Sequence, residues 1–279
     1  MKGKTCLVTG GSSGIGKATA LALAKMGAKV IIVNCNPARG RAALADIRAK
    51  SRNDAVHLML ADLSSQADIR RLVCEFKAEH TQLHVLVNVA GILSWKRQLS
   101  VDGLEMNLAL NYLAYFLLTN LLLDMLKKSA PSRIVNVTSV AHRWGRINFD
   151  NLQSEKGYNM FTTYGKAKLA DILFTRELAR RLTGTGVIAN AVHPGLVATR
   201  IVEHVADIPI AYRVADLLFL TPAEGAETVV HLASPSKVNG ACGEYFIKKG
   251  IASSSNASQD MDTARRLWEV SEQLTGLSN

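Results

Sequence analysis

Short apolar runs alternate with longer segments of helical periodicity along almost the whole chain. The runs are rich in valine and isoleucine, as in TCLVTG (5–10), AKVIIVN (28–34) and HVLVNVAG (84–91). Continuous apolar strands separated by helices are typical of a parallel sheet that is covered on both faces. The pattern therefore predicts one α/β domain over 1–279, a Rossmann-type doubly wound parallel sheet with helices on both faces.

The intervening segments predict the helices of this domain. They lie at 14–27, 38–50, 66–79, about 104–128 and 160–182, and a less regular segment follows at 200–233. The part at about 200–222 follows a strand end, so it is a candidate lid over a ligand crevice; an ordinary connecting helix is the alternative. In a fold of this kind the cofactor-binding part is expected at about 1–140.

Composition is consistent with one folded domain that has no membrane anchor. The 279-residue chain is 48% hydrophobic, which is enough for a large core, and no Pro/Gly/Ser-rich linker divides it. A strand-like run starts at residue 5, so neither a signal peptide nor an anchoring helix is expected before it. The longest apolar stretch, Leu108–Leu126, contains two asparagines and an aspartate, and we interpret it as a buried helix.

Charge and cysteine content further limit the class of protein that the sequence can encode. The net charge of +10 comes from lysines and arginines scattered among acids, without the basic run that favours nucleic-acid binding. The four cysteines show neither a CxxC spacing nor neighbouring histidines, so neither a metal site nor a disulfide framework is expected. Reduced thiols are typical of a cytoplasmic protein, and the expected partner is a small molecule.

The first strand runs into the glycine-rich stretch TGGSSGIGKA. Gly10, Gly14 and Gly16 fall between this strand and the helix that follows it. Glycines at such a position let the backbone turn tightly and approach a pyrophosphate, which the helix N-terminus attracts. The context predicts a dinucleotide-binding turn, although the Gly-x3-Gly-x-Gly spacing differs from the Gly-x-Gly-x2-Gly fingerprint.

A tyrosine and a lysine share one face of a later helix. Tyr164 and Lys168 are four residues apart in TTYGKAKLA, so their side chains are neighbours, whereas Lys166 points elsewhere. A nearby ammonium favours the phenolate and lowers the pKa of a tyrosine, which would then exchange protons near neutrality. Taken alone, such a pair more often belongs to an amphipathic helix of no chemical function.

These motifs occur together with Asn88-Val89-Ala90-Gly91 and Ser139, and the sequence resembles the short-chain dehydrogenase/reductase family over essentially its whole length. The resemblance implies a nicotinamide-dependent oxidoreductase whose catalytic residues are Asn111, Ser139, Tyr164 and Lys168. It implies that Tyr164 exchanges a proton with the carbonyl or alcohol oxygen and that Ser139 stabilises charge on that oxygen. Lys168 is then expected to hold the nicotinamide ribose, and Asn111 to hold a water that links Lys168 to solvent.

The resemblance also implies a set of cofactor contacts at the carboxyl ends of the strands. These are Gly10, Ser12, Ser13, Gly14, Ile15, Gly16, Asn34, Asn36, Arg39, Asp62, Leu63, Asn88, Ala90, Gly91, Tyr164, Lys168, Pro194, Gly195, Val197 and Thr199. Asp62 is expected beside the adenine, with a helix cap as the alternative. Thr199 is expected to meet the nicotinamide amide, and Asn88 to brace the central strand through backbone hydrogen bonds.

The second strand decides the expected cofactor. An acid about 20 positions beyond the glycine turn binds the ribose hydroxyl of NAD, whereas a nearby arginine accommodates the phosphate of NADP. Asn34 stands where the acid would be, and Cys35 where NADP-using relatives carry arginine. Lys17, Arg39 and Arg41 are basic residues within plausible reach of a phosphate. NADP(H) is therefore favoured, and NAD(H) is the alternative.

The stretches SAPSRIVNVTSVAH and YGKAKLADILFTRELARRL resemble the retinol dehydrogenase-like branch of the family, as does the 25-residue gap between Ser139 and Tyr164. This branch implies interconversion of apolar aldehydes or ketones, such as retinal-like compounds, and their alcohols. An NAD(H)-preferring alcohol dehydrogenase or ketoreductase and a non-catalytic cofactor-binding sensor are the alternatives. An extended-family epimerase is disfavoured because its Gly-x2-Gly-x2-Gly loop is missing. The resemblance allows a homodimer or homotetramer through helices 104–128 and 160–182 and leaves the oligomeric state open.

Overall fold

The computed structural model describes residues 1–197, 220–234 and 240–277, and within these ranges an eight-stranded sheet carries helices on both faces. The strands are β1 (Thr5–Thr9), β2 (Lys29–Asn34), β3 (Val56–Leu60), β4 (Val85–Asn88), β5 (Ser132–Val137), β6 (Val187–His193), β7 (Tyr245–Ile247) and β8 (Gly250–Ile251). The helices are α1 (Gly14–Lys25), α2 (Pro37–Ser51), α3 (Gln66–Glu79), α4 (Met106–Leu108), a π-helical turn (Ala109–Leu113), α5 (Ala114–Lys128), α6 (Met160–Arg181), α7 (Pro222–Ala233) and α8 (Met261–Thr275).

The strand order across the sheet is β3-β2-β1-β4-β5-β6-β7-β8. Strands β1 to β7 all run parallel to one another. The predicted doubly wound sheet is confirmed, with one antiparallel addition, because β8 turns back on β7. The chain leaves β1 towards β2 on one side and later places β4 on the other side. This reversal opens a crevice beyond the carboxyl ends of β1 and β4, where ligands bind in sheets of this kind.

Alternate side chains of each strand enter two different apolar layers. On β1, Leu7 belongs to the layer formed with α3, α5 and α6, whereas Cys6 and Val8 belong to the layer formed with α1, α2 and α7. Successive side chains of a strand point to opposite faces of a sheet, so a sheet covered on both faces needs apolar residues at every position. This is why the strands appear in the sequence as continuous apolar runs.

The long apolar helix lies in the core. α4, the π-helical turn and α5 are continuous over Met106–Lys128, which is the one helix among the described residues long and apolar enough to cross a membrane. Of its most apolar window, 72% is buried inside the fold. Phe116 packs against Phe174 of α6, with the ring centroids 5.4 Å apart. The helix therefore packs as the core helix that the sequence predicts.

The C-terminal helix α8 is missing from the elements that the apolar pattern predicts. Asp260 caps it by accepting hydrogen bonds from the backbone N–H groups of Asp262 and Thr263. Trp268 packs edge-on against Phe116 of α5, with the ring centroids 4.9 Å apart. α8 therefore covers part of α5 and α6, the two helices through which the resemblance allows self-association.

Candidate active site

The glycine turn after β1 has the geometry of a dinucleotide cradle. Gly10 and Gly14 adopt φ angles of 62° and 51°, in the left-handed region that favours glycine. A Cβ on Gly10 would lie 3.0 Å from the Cα of Ala90, and a Cβ on Gly16 would collide with the carbonyl oxygen of Gly10. The Ser13 side chain makes no capping hydrogen bond at the start of α1. The first backbone N–H groups of this helix are thus available to an anion, and the turn fits a pyrophosphate.

Three of the predicted cofactor residues form a hydrogen-bonded chain at the end of β2. Ser12 Oγ donates to Asn34 Oδ1 at 2.8 Å, and Asn34 Nδ2 donates to the carbonyl oxygen of Asn36 at 2.7 Å. Asn36 Oδ1 in turn caps α2 by accepting a hydrogen bond from the backbone N–H of Arg39 at 3.0 Å. The uncharged Asn34 side chain is therefore occupied by its neighbours, and it links the glycine turn to the second strand.

The basic residues near this chain differ in their surroundings. Lys17 forms an ion pair with Asp46 at 2.9 Å, and Lys50 pairs with the same carboxylate, so one acid is shared by two lysines. Arg39 is exposed in the first turn of α2 and forms no ion pair with the other described residues. Arg41, the third candidate, is also exposed on α2, so Arg39 and Arg41 are the two candidates without an acidic partner among the described residues.

Asp62 and Leu63 follow β3. Asp62 Oδ1 accepts hydrogen bonds from the backbone N–H and the hydroxyl of Ser64, at 2.9 and 2.7 Å. The alternative interpretation of Asp62 as a helix cap is wrong, because Ser65 caps α3. Leu63 is buried in the core, so only its backbone is available to a ligand.

Asn88 lies at the end of β4 but faces away from the crevice. Its Nδ2 donates to Asn136 Oδ1 at 2.8 Å and to Thr119 Oγ1 at 3.1 Å, and the side chain is fully buried. The backbone of Asn88 pairs with that of Asn136 in the ladder between β4 and β5, and the side chain ties β4 to β5 and α5 in addition. The segment at Val89 and Ala90 is held by Thr9 Oγ1, which accepts hydrogen bonds from both backbone N–H groups.

A cleft of about 200 Å³ opens at the carboxyl edge of the sheet. Eight of the predicted site residues line it: Ile15, Gly91, Ser139, Tyr164, Lys168, Pro194, Gly195 and Val197. Thr199 and most of the candidate lid at 200–222 lie outside the described residues. At the end of the lid, Leu220 pairs with Val197 in an isolated β-bridge.

Two glycines allow Ser139 and Tyr164 to meet. Ser139 caps the 3₁₀ turn Val140–Trp144 and accepts a hydrogen bond from the backbone N–H of Ala141 at 3.2 Å. A Cβ on Gly165 would lie 2.5 Å from the carbonyl oxygen of Ala141, and one on Gly145 would collide with the backbone of Gly165. These glycines permit the close approach of α6 to the 3₁₀ turn. The Ser139 hydroxyl and the Tyr164 phenol consequently line the same cleft.

The Lys168 ammonium lies beside Tyr164, as the helical spacing predicts. Its Nζ is 5.8 Å from the centroid of the Tyr164 ring, and the side chain is buried. Nζ donates hydrogen bonds to the carbonyl oxygen of Val137 at 3.0 Å and to Asp171 Oδ2 at 2.9 Å. The sequence pattern identified the lysine but not the acid that binds it.

The pKa of Tyr164 is higher than that of an exposed tyrosine. Burial raises it, Lys168 lowers it, and Asp171 raises it again, while the nearby Ser139 hydroxyl lowers it. The prediction of a lowered pKa is therefore wrong for the protein without cofactor, because burial and the Asp171 carboxylate outweigh the ammonium.

Asn111 lies in the π-helical turn, behind the cleft. Its Oδ1 accepts a hydrogen bond from the backbone N–H of Ile92 at 2.6 Å, and its Nδ2 donates to the carbonyl oxygen of Ile92 at 2.9 Å. The side chain is fully buried. Asn111 thus fixes the loop that follows β4, and its expected part in holding a water stays a prediction.

His193 is a cleft residue that sequence reasoning missed. It ends β6 directly before Pro194, and its Nδ1 accepts a hydrogen bond from the backbone N–H of Val140 at 3.3 Å. Burial, with a smaller contribution from His142, lowers its pKa to about 4, so the ring is neutral at physiological pH. Its place at a strand end beside a Pro-Gly turn was the available signal.

Comparisons with known proteins agree with this geometry. A profile of the short chain dehydrogenase family matches residues 4–208. Retinol dehydrogenase 12 from Homo sapiens is 43% identical over 277 residues, which cover 99% of this chain and 88% of the relative. Retinol dehydrogenase 14 from Homo sapiens is 42% identical over 295 residues, with 99% and 88% covered.

Solved structures show the same architecture. An uncharacterised protein from Mycobacterium paratuberculosis superposes with a TM-score of 0.79 at 32% identity, covering 99% of this chain and 94% of that one. RhlG from Pseudomonas aeruginosa, solved with NADP in its active site, has a TM-score of 0.72 at 29% identity, with 88% and 94% covered.

A doubly wound sheet with this turn and this cleft, matched over nearly its full length by dehydrogenases, defines an NAD(P)-dependent oxidoreductase. The chain belongs to the short-chain dehydrogenase/reductase family, in its retinol dehydrogenase-like branch. The residues predicted for catalysis therefore lie in a chain whose family and fold are the ones predicted from its sequence.

Proposed function

We propose that this protein is an NADP(H)-dependent enzyme that reduces apolar aldehydes or ketones, retinaldehyde among them, and oxidises the corresponding alcohols in the reverse direction. The observation that carries the proposal is the meeting of Ser139, Tyr164 and Lys168 in one cleft with apolar walls. A proton donor, a hydroxyl beside it and a buried cation are the groups that carbonyl reduction requires.

The apolar character of the cleft supports a lipophilic substrate. Leu93 and Val137 line its wall, and Leu196, which also lines it, is 59% exposed. Trp144 ends the 3₁₀ turn that starts after Ser139, and Phe161 lies one turn before Tyr164; both are more than half exposed. Exposed apolar side chains grouped near a cleft mark ligand-binding surfaces. The retinol dehydrogenases that this chain resembles are named for an apolar alcohol.

In the proposed mechanism the chain supplies the proton and the electrostatic environment. The chemistry that a bound nicotinamide supplies is hydride transfer to the carbonyl carbon. Tyr164 donates its phenolic proton to the carbonyl oxygen as negative charge develops there. The Ser139 hydroxyl donates a hydrogen bond to the same oxygen, and the Lys168 ammonium stabilises the phenolate that Tyr164 leaves behind. In the direction of alcohol oxidation, Tyr164 accepts the proton.

The surroundings of Arg39 support NADP(H) over NAD(H). The first turn of α2 contains no acid, and Asn34 replaces the carboxylate that would repel a phosphate. The guanidinium of Arg39 is exposed and unmatched by the other described residues, as a site for the 2′-phosphate requires. RhlG, which shares the fold, was solved with NADP.

The free thiols of the chain support a reducing compartment, and the proposal includes a cytoplasmic location. Cys6, Cys35, Cys74 and Cys242 are all unpaired. The compartment is tested by fractionating cells of the source organism and locating the protein by immunoblotting. Recovery in an oxidising compartment would contradict this part of the proposal.

The test of function is the initial rate of NADPH and NADH oxidation with retinaldehyde and a series of apolar and polar carbonyl compounds. We expect turnover with apolar compounds and a preference for NADPH. Tyr164→Phe should keep cofactor binding and lose most of kcat. Tyr245→Phe is the matched control, because it removes a buried phenolic hydroxyl that has no hydrogen-bond partner among the described residues.

The outcomes separate the alternatives. A preference for NADH would favour the NAD(H)-dependent dehydrogenase. Cofactor binding without turnover on any carbonyl compound would favour the cofactor-binding sensor. Near-normal turnover by Tyr164→Phe would remove this tyrosine from the mechanism.

A further inference from the structure

A buried carboxylate lies next to the Tyr164–Lys168 pair. Asp171 is on α6, one turn beyond Lys168, and its side chain is fully buried. Its Oδ2 pairs with Lys168 Nζ at 2.9 Å, and its Oδ1 has no hydrogen-bond partner among the described residues. An ionised carboxylate is costly to bury unless it is paired. Its position beside Lys168 therefore suggests that it contributes to what Lys168 does in the reaction.

The carboxylate determines where the ammonium points. Lys168 Nζ donates to two fixed acceptors, the carbonyl oxygen of Val137 and Oδ2 of Asp171. It lies 5.1 Å from the centroid of the Tyr115 ring, and the hydroxyl of Tyr115 is itself tied to the carbonyl oxygen of Ala90 at 2.9 Å. Without Asp171 the ammonium would lose its only anionic partner among the described residues.

The carboxylate also offsets the charge of the ammonium. Lys168 alone would favour the phenolate of Tyr164, but a carboxylate one turn further along the helix opposes that field. We propose that Asp171 is a positioning residue of the reaction: it fixes the Lys168 ammonium and offsets its charge, so that Tyr164 remains protonated and ready to act as the acid of carbonyl reduction. This inference rests on the proposed function of the site.

The other groups that face the pair stay neutral. Tyr112 and Tyr115 approach from the helix that packs on α6, and burial raises the pKa of both phenols well above the usual range. His193 approaches from β6, and burial keeps it neutral because its pKa falls to about 4. The charges that act on Tyr164 from the described residues lining this side of the cleft are therefore those of Lys168 and Asp171.

The ionisation of the pair follows from its contacts. Burial lowers the pKa of Lys168, but the Asp171 carboxylate and the phenols of Tyr115 and Tyr164 raise it, and the net direction is upward. Burial raises the pKa of Asp171, and the ammonium opposes this rise. In the alkaline range in which tyrosines titrate, Asp171 is therefore ionised beside a charged lysine.

The expected size of the effect follows from the distance between Asp171 and Tyr164 along α6. Seven residues separate Asp171 from Tyr164, which is about 10 Å along an α-helix. At that separation and an effective dielectric constant of about 20, one unit charge changes the ionisation of a phenol by about one pH unit. Asp171→Asn removes the charge with almost no change in shape. We therefore expect Tyr164 to ionise about one pH unit lower in this variant.

The experiment is an ultraviolet difference titration of the phenolate, which requires no substrate. Each protein is titrated with and without Tyr164→Phe, so that the difference isolates Tyr164 from the other five of the six tyrosines. Glu177→Gln is the matched control: Glu177 is a buried carboxylate on the same helix, but it pairs with Arg180 and Arg181. It lies thirteen residues from Tyr164, about 20 Å along the helix.

We expect a downward shift in Asp171→Asn and no shift in Glu177→Gln. An unchanged titration, or an upward shift because Lys168 has lost its proton, would overturn the proposal. Asp171→Ser is also neutral but smaller, and it carries the same expectation should the asparagine variant fail to fold. Because the titration needs no turnover, its result is independent of whether the proposed substrate class is correct.

The kinetic consequence is a second readout once a substrate is known. In Asp171→Asn, the pH above which carbonyl reduction declines should fall by the same amount as the pH at which Tyr164 ionises. If Asp171 were purely structural, its replacement would lower kcat by the same factor at every pH, and the pH at which the rate declines would not change. That outcome would also contradict the proposal.

Discussion

Replacing Trp268 with alanine should strongly destabilise the protein. Trp268 is 4% exposed and packs against Phe116 and Phe174, with ring centroids 4.9 and 5.7 Å away. The guanidinium of Arg181 lies 4.1 Å from its ring centroid, and its Nε1 donates to Glu272 Oε1 at 2.7 Å. The variant loses the apolar contacts and opens a cavity between α8 and the two helices beneath it.

The magnitude follows from the buried area. An aromatic side chain of this kind buries about 150–250 Å², which at about 25 cal/mol per Å² corresponds to about 4–6 kcal/mol. The area that alanine still buries and the residual compactness of the unfolded chain reduce this figure, so we expect a loss of about 3–5 kcal/mol in the free energy of unfolding.

Urea denaturation followed by circular dichroism measures this loss. Trp144→Ala is the matched control, because Trp144 is 59% exposed and its removal should change the free energy of unfolding by no more than about 0.5 kcal/mol. A loss below about 1 kcal/mol in Trp268→Ala would refute the packing of α8 against α5 and α6, since that is the typical cost of an average substitution.

Three further predictions concern the cofactor and the reaction. Gly16→Ala should abolish tight NADPH binding in a fluorescence titration, because its Cβ collides with the carbonyl oxygen of Gly10; wild-type affinity would contradict the geometry of the turn. Arg39→Ala should raise the KM for NADPH about tenfold, the value of one charge-assisted hydrogen bond, and leave the KM for NADH unchanged. Equal effects on both cofactors would remove Arg39 from phosphate recognition. Because burial and Asp171 raise the pKa of Tyr164, the rate of alcohol oxidation should still increase with pH well above neutrality; a plateau below pH 7 would contradict this.

Local patterns account for the parts of the site that the sequence predicted. The contact between Tyr164 and Lys168 depends only on a spacing of four residues within one helix. Gly10 and Gly14 were identifiable because a turn between a strand and a helix needs left-handed backbone at fixed positions. The fold class was predictable for a similar reason, since each apolar run reflects the burial of both faces of its own strand.

Contacts between distant segments account for what the sequence did not predict. Asn88 faces Asn136 and Thr119, which are 48 and 31 residues away, so its direction depends on how β4, β5 and α5 pack. Asn111 is tied to Ile92 across a loop, and α8 is held by rings from two other helices. No periodicity in the sequence specifies these partners.

The doubly wound fold, the glycine turn and the pairing of Tyr164 with Lys168 could be predicted from the amino-acid sequence, because each depends on residues close together in the chain. The ionisation of Tyr164, in contrast, depends on the three-dimensional packing around it. The pKa of a phenol depends on how completely water is excluded and on every charge within several ångströms. In this protein burial and the Asp171 carboxylate outweigh the neighbouring ammonium, so the tyrosine stays protonated as an acid.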